Sequence, residues 1–231
     1  MSDYPLWCVV PAAGTGRRFG GQVPKQYLPL HGMPLLLRTL ERLASHPRVG
    51  GLMVALAEDD PHWPGIDRIG KAQVLTCIGG GERADSVLRG LEALPEQVDA
   101  EAFVLVHDAA RPCVRVADID KLIELGGNAE GGLLGAPLRD TLKRAGSDGC
   151  SHTTESREGR WRAFTPQMFR RGVLTRGLHR AFDAKLTVTD EAMAMERAGL
   201  RPLLVEGAED NLKVTTPADF ALAEFLWERT R

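Results

Sequence analysis

The four cysteines, Cys8, Cys77, Cys113 and Cys150, form no Cys-x-x-Cys pair. That spacing removes thioredoxin-type redox chemistry and the common zinc modules, and leaves reduced thiols in a cytoplasmic protein as the expectation. The six histidines, His31, His46, His62, His107, His152 and His179, show neither zinc-ligand spacing nor a triad. No serine stands in a Gly-x-Ser-x-Gly elbow, which disfavours covalent hydrolase chemistry. Charge is nearly balanced at −2, so bulk composition gives no support to a nucleic-acid surface. No apolar run approaches the ~20 residues needed to cross a bilayer. The first residues lack the basic and apolar segments of a signal peptide, and a soluble chain is expected.

What is present is a 43% hydrophobic composition over 231 residues, enough for a substantial core. Strand-like runs at 6–10, 51–57, 73–78, 102–107, 131–136 and 202–206 alternate with helical patterns. The helices are expected at 34–45, opening on Pro34, at 82–94, near 117–125, from a cap at Thr189 to Gly199, and at 217–229 after Thr216. This alternation predicts α/β architecture: a Rossmann-like, mostly parallel sheet flanked by helices, in one domain over 1–231.

Residues 139–165 break the pattern. They are polar, have no helical period and are too long for an ordinary connection. Apolar–polar alternation near Thr141–Arg144 and Trp161–Thr165 reads as two strands of a projecting β-arm; a disordered surface loop is the plainer alternative.

Ligands of open α/β sheets bind beyond the carboxyl ends of the strands, and the polar clusters fall there. The first strand runs into Pro11-Ala12-Ala13-Gly14-Thr15-Gly16-Arg17-Arg18 and on to Lys25. Glycines let the backbone approach a phosphate, and the three cations answer its charge. The loop has no Gly-Lys-Ser/Thr ending and no third glycine at dinucleotide spacing, so it is neither a P-loop nor a Rossmann fingerprint. A tight turn with solvated cations is the plainer alternative. The third strand leads into Gly79-Gly80-Gly81-Glu82-Arg83-Ala84-Asp85-Ser86, which reads either as a simple turn or as backbone edging onto a base. The fourth leads into His107-Asp108-Ala109-Ala110-Arg111. Asp108 either pairs with Arg111 or faces a magnesium–phosphate complex. His107 reads as a buried, hydrogen-bonded imidazole, and His46 and His62 read as surface. The last strand leads into Asp210-Asn211-Leu212-Lys213.

These runs, with Asp140-Thr141, Thr165-Pro166-Gln167 and Thr189-Asp190-Glu191-Ala192, resemble in order and spacing the motifs of the 2-C-methyl-D-erythritol 4-phosphate cytidylyltransferase family. The resemblance covers almost the whole chain. It implies that the phosphate of methylerythritol phosphate attacks the α-phosphorus of CTP with magnesium present, releasing pyrophosphate, in non-mevalonate isoprenoid biosynthesis. It also implies a homodimer whose arm, 139–165, completes the partner's site. By the same resemblance Arg18, Lys25, Arg157 and Lys213 are catalytic, and Arg157 and Lys213 position the attacking phosphate. CTP would be held by Pro11, Ala12, Ala13, Gly14, Gly16, Arg18, Lys25, Gly80, Gly81, Arg83, Ser86, Asp108 and Lys213. Asp108, Ala109, Arg111, Thr141, Arg157, Thr165 and Thr189 would form the sugar-phosphate side. Asp108 and Asp210 are the candidate metal residues, directly or through water. A cytidylyltransferase for another polyol phosphate and a non-catalytic nucleotide-binding protein are the competing readings.

Overall fold

The computed structural model describes residues 5–14, 19 and 23–229. Its strands are β1 (Leu6–Pro11), β2 (Pro29–Leu30), β3 (Met33–Pro34), β4 (Val49–Leu56), β5 (Arg68–Ile69), β6 (Ala72–Ile78), β7 (Phe103–Val106), β8 (Gly132–Pro137), β9 (Leu142–Ala145), β10 (Ser151–Glu155), β11 (Trp161–Arg170) and β12 (Leu203–Glu206). The helices are α1 (Leu35–Ala44), α2 (Arg83–Glu92), α3 (Val116–Gly127), α4 (Arg171–Asp183), α5 (Glu191–Arg197) and α6 (Pro217–Arg229). Eight strands form one sheet in the order β12-β8-β11-β7-β1-β4-β6-β5. Neighbours β7, β1, β4 and β6 run parallel, as do β8 and β12, while β11 and β5 run antiparallel to their neighbours.

The continuous apolar character of β1, β4 and β7 follows from cover on both faces. On one face Leu36, Leu40 and Leu43 of α1 pack with Ile119 and Leu122 of α3. On the other, Val87 and Leu91 of α2 pack with Leu174 and Leu178 of α4 and Met195 of α5. Each such fully buried leucine contributes about 1.5–3 kcal/mol of transfer free energy. A smaller cluster seats Ala223 and Trp227 of α6 against Leu30, Leu35 and Val214.

Four expectations need correction. Residues 161–165 are not the second strand of an arm. They open β11, whose residues 164–169 are all buried, between β7 and β8. Pro166, which cannot donate to a ladder, falls where the β8–β11 register shifts between Ala163 and Gln167, and the strand tolerates it there. The antiparallel partner of β9 is β10, with Leu142 opposite Glu155 and Lys143 opposite Thr154, in a two-stranded ribbon separate from the main sheet. Second, Asp190 rather than Thr189 caps α5, its Oδ1 accepting from the Met193 amide at 3.0 Å. Third, His46 is buried, its Nε2 2.9 Å from Asp120 Oδ1. Fourth, Pro34 occupies the N-cap of α1 rather than its first turn. The expected cap of α6 is found, with the Asp219 carboxylate accepting from the Thr216 amide at 2.7 Å and the Asp219 amide donating to Thr216 Oγ1 at 3.3 Å.

Candidate active site

Four strand-to-helix connections meet at the carboxyl edge of the sheet and enclose a cleft of ≈ 270 Å³. It is lined by Pro11, Ala12, Ala13, Gly14 and Lys25 from the first connection, Gly80, Gly81, Arg83 and Ser86 from the next, Asp108 and Ala109 from the third, and Lys213 from the last. These were expected from sequence; Gln26, Glu82, Ala110 and Thr215, which also line the cleft, were not. Gly16 and Arg18 lie outside the described residues.

The first two loops press together. A Cβ built on Gly79 would stand 2.6 Å from Ala13 Cβ, and one on Gly80 would stand 2.1 Å from Asp85 Cβ. Gly79 thus packs against the first loop and Gly80 against Asp85 of its own loop, approaches that a side chain would block. Ser86 Oγ accepts from the Gly80 amide at 3.0 Å and donates to the Glu82 carbonyl at 3.1 Å. Glu82 and Asp85 close a reciprocal capping box at the start of α2. Gln26, which sequence reasoning did not place in the site, shapes the first loop. Its Nε2 donates to the carbonyls of Ala12 at 2.8 Å and Gly14 at 2.9 Å. Its place beside Lys25, at a spot where a buried amide needs partners, was the available signal.

Asp108 sits at the centre of the charge. One carboxylate oxygen accepts from Arg83 Nε at 2.8 Å; the other faces Arg111 Nε at 3.1 Å and Lys213 Nζ at 3.0 Å. The pairing with Arg111 is therefore real but is one of three. Burial alone would raise the Asp108 pKa, yet Arg83, Lys213 and Arg111 together hold it well below the ordinary carboxylate range. Arg83 forks onto Glu191, with contacts of 2.6 and 3.1 Å. Burial works against its charge, but Glu191 and Asp108 raise its pKa above the usual value. Lys25 Nζ donates to the Val214 carbonyl at 2.6 Å, which sets it beside the backbone that carries Lys213.

Beneath the cleft, the Asp108 amide donates to Thr165 Oγ1 at 3.0 Å, and that hydroxyl lies 3.0 Å from His107 Nδ1. His107 Nε2 lies 3.0 Å from the Arg111 carbonyl. One set of protons satisfies the chain: Thr165 accepts from Asp108 and donates to Nδ1, and Nε2–H donates to Arg111. Burial lowers the His107 pKa to about 4. Arg111 and Thr165 thus support the floor and do not line the cleft. Asn211 ties the same floor together, donating from Nδ2 to the Thr165 carbonyl at 2.7 Å and accepting from Arg111 Nη1 on its own carbonyl at 2.6 Å.

Other expected residues stand apart from the cleft lining. Thr141 is exposed at the foot of the ribbon, and Arg157 is exposed with its guanidinium donating to the Arg139 carbonyl. Thr189 is exposed, its hydroxyl 3.4 Å from Met193 Sδ. Asp210 pairs with Arg115. Among the described residues no group of three or more His, Cys, Asp or Glu side chains could hold a metal ion. Asp108, already gripped by three cations, is a poor direct ligand for magnesium.

A model of the 2-C-methyl-D-erythritol 4-phosphate cytidylyltransferase family matches residues 6–229. The chain belongs to this family. A cytidylyltransferase of that name from Xanthomonas euvesicatoria pv. vesicatoria is 62% identical over 221 residues, covering 95% of this chain and 84% of that protein. The crystal structure of the Francisella tularensis cytidylyltransferase superposes with a TM-score of 0.83 at 31% identity, covering 96% of this chain and 99% of that one. The Thermus thermophilus cytidylyltransferase gives a TM-score of 0.78 at 28% identity, over 97% and 99%. The cleft therefore lies in the fold that this chain shares with those cytidylyltransferases.

Proposed function

We propose that this cleft transfers the cytidylyl group of CTP to 2-C-methyl-D-erythritol 4-phosphate, giving 4-diphosphocytidyl-2-C-methyl-D-erythritol and pyrophosphate, in isoprenoid precursor biosynthesis. The observation that carries the mechanism is the placement of Lys25 and Lys213 on one cleft that Ala12, Ala13, Gly80 and Gly81 also line.

The nucleophile needs no general base. A phosphate monoester has a second pKa of ~6 and is largely dianionic at neutral pH. His107 fits that economy: both ring nitrogens are engaged beneath the cleft, and the imidazole stays neutral. The difficulty is joining two polyanions and stabilising the charge that develops as the α-phosphorus is attacked in line. Lys25, with Arg18 from the same loop, is assigned to the triphosphate and the departing pyrophosphate. Lys213 is assigned to the attacking phosphate. A fixed cation of this kind contributes about 3–4 kcal/mol of transition-state stabilisation. The backbone of Ala12, Ala13, Gly80 and Gly81, braced by Ser86, is assigned to the base, whose exocyclic position is an amine in cytosine and a carbonyl in uracil. Magnesium would enter with the triphosphate, since the described residues offer no carboxylate cage. Arg157, outside the cleft of its own chain, is assigned to a partner subunit's site in a homodimer formed through the ribbon. A cytoplasmic location, drawn from four unpaired thiols, belongs to the same proposal.

The test is pyrophosphate release with methylerythritol phosphate as acceptor and CTP, UTP or ATP as donor, repeated with ribitol 5-phosphate as acceptor. The expected result is turnover with CTP and methylerythritol phosphate at least tenfold above every other pair. Equal turnover of ribitol phosphate overturns the acceptor, and CTP binding without pyrophosphate release overturns the catalytic reading.

A further inference from the structure

We propose that Glu191 is a positioning residue that fixes where Lys213 points, acting through Arg83 and Asp108. The inference rests on the role assigned to Lys213 above. Glu191 is 1% exposed, and a carboxylate so buried must be paired. Its partner is the two-nitrogen fork of Arg83, at 2.6 and 3.1 Å. With Nη1 and Nη2 turned to Glu191, Arg83 meets Asp108 through Nε alone, which takes one oxygen at 2.8 Å. The other Asp108 oxygen is thereby left for Arg111 at 3.1 Å and Lys213 at 3.0 Å.

Removing the Glu191 charge changes that allocation. A guanidinium fork pairs best with both oxygens of one carboxylate, and Asp108 is the carboxylate within reach. Arg83 would then compete for the oxygen that Lys213 holds. The charge count shifts the same way: three cations faced by two carboxylates become three faced by one, and Lys213, the most exposed of the three side chains at 35%, is the one able to leave. Glu191 is itself held firmly. It opens α5 beside the cap Asp190, and Gln167 from β11 accepts from the Ala192 amide at 2.7 Å and donates to Asp190 at 2.9 Å. The relay therefore runs from a rigid anchor in the core to the lysine in the cleft.

A double-mutant cycle reads the relay directly. Glu191→Gln, Lys213→Met and the double variant are assayed for kcat and for KM of each substrate, with thermal unfolding as a control. Glu191→Gln is expected to lower kcat/KM for methylerythritol phosphate about tenfold or more, with KM for CTP moving less than threefold. In the Lys213→Met background the same change should cost less than twofold. A merely structural ion pair would cost the same in both backgrounds, and that result, or no loss in the parent enzyme, overturns the proposal. Near-normal turnover by Lys213→Met alone overturns instead the role given to Lys213. If Glu191→Gln does not fold, Arg83→Lys, a point charge unable to span both carboxylates, interrupts the same relay and is judged by its non-additivity with Lys213→Met alone.

Discussion

Lowering the pH tests the buried His107 without altering a single residue. Burial sets its pKa at about 4, against ~6.5 in an unfolded chain. The folded state thus favours the neutral ring. Its contribution is fully present above pH 6.5 and is lost as pH falls from 6.5 towards 4. That difference in pKa corresponds to ~3 kcal/mol lost by pH 4. The hydrogen-bond chain gives the physical reason. A second ring proton would face the Thr165 hydroxyl, which already donates to Nδ1 while accepting from the Asp108 amide. For a chain of this length the loss amounts to roughly 6–12 °C in Tm. Urea or thermal unfolding from pH 8 to pH 4 measures it, alongside His107→Gln, whose amide nitrogen can still donate to the Arg111 carbonyl but does not titrate. The variant should be less stable at pH 8 and should lose clearly less stability across the window. Parallel curves for the two proteins would refute the reasoning. The window lies above the range over which the contributions of Asp108 and Asp219, both with depressed pKa values, are lost.

Lys25→Ala and Lys213→Ala should each slow pyrophosphate release about a hundredfold or more, equivalent to ~3 kcal/mol; near-normal rates would remove that lysine from the mechanism. Asp108→Asn should cost about 3–5 kcal/mol at pH 7, because it leaves three cations crowded around a neutral amide. That difference should hold above pH ~3.9 and shrink as pH falls through the depressed Asp108 value, and an unchanged denaturation midpoint at pH 7 would contradict it. Gly80→Ala should weaken CTP binding through about 1–3 kcal/mol of strain, since its Cβ would meet Asp85 at 2.1 Å. Gly81→Ala, with nothing nearer than 3.9 Å, should not, and calorimetric titration with CTP separates the two. If Arg157 serves the partner's site, mixing inactive Arg157→Ala and Lys213→Ala subunits should restore about a quarter of parental activity, because half the dimers then carry one intact site. No recovery on mixing would place Arg157 elsewhere.

Much of this was legible in the sequence because two different signals agreed. Hydrophobic alternation located β1, β4, β6, β7, β8 and β12, and the polar residues that end four of those strands met in one cleft. The failures share a cause. Trp161–Thr165 alternates like an exposed ribbon, yet with the burial of 164–169 it belongs to a strand inserted antiparallel into the sheet, a pairing that no local pattern encodes. His46 sits among turn residues, and only the fold brings Asp120, on α3, against it. The Arg83–Glu191 pair spans 108 positions, and sequence presented its members as separate motifs. Gln26 was visible as a neighbour of Lys25, but its two backbone acceptors become apparent only when the loop closes on itself.

The antiparallel placement of β11 has an architectural outcome. The chain leaves the sheet at the end of β8 and re-enters at the start of β11, its immediate neighbour, so the β9–β10 ribbon hangs from two adjacent points on the rim that bears the cleft. Its length can change without any core contact being rewritten. The ribbon is thus a detachable module beside the reaction centre, where a sequence can alter what its tip meets while the catalytic rim stays as it is.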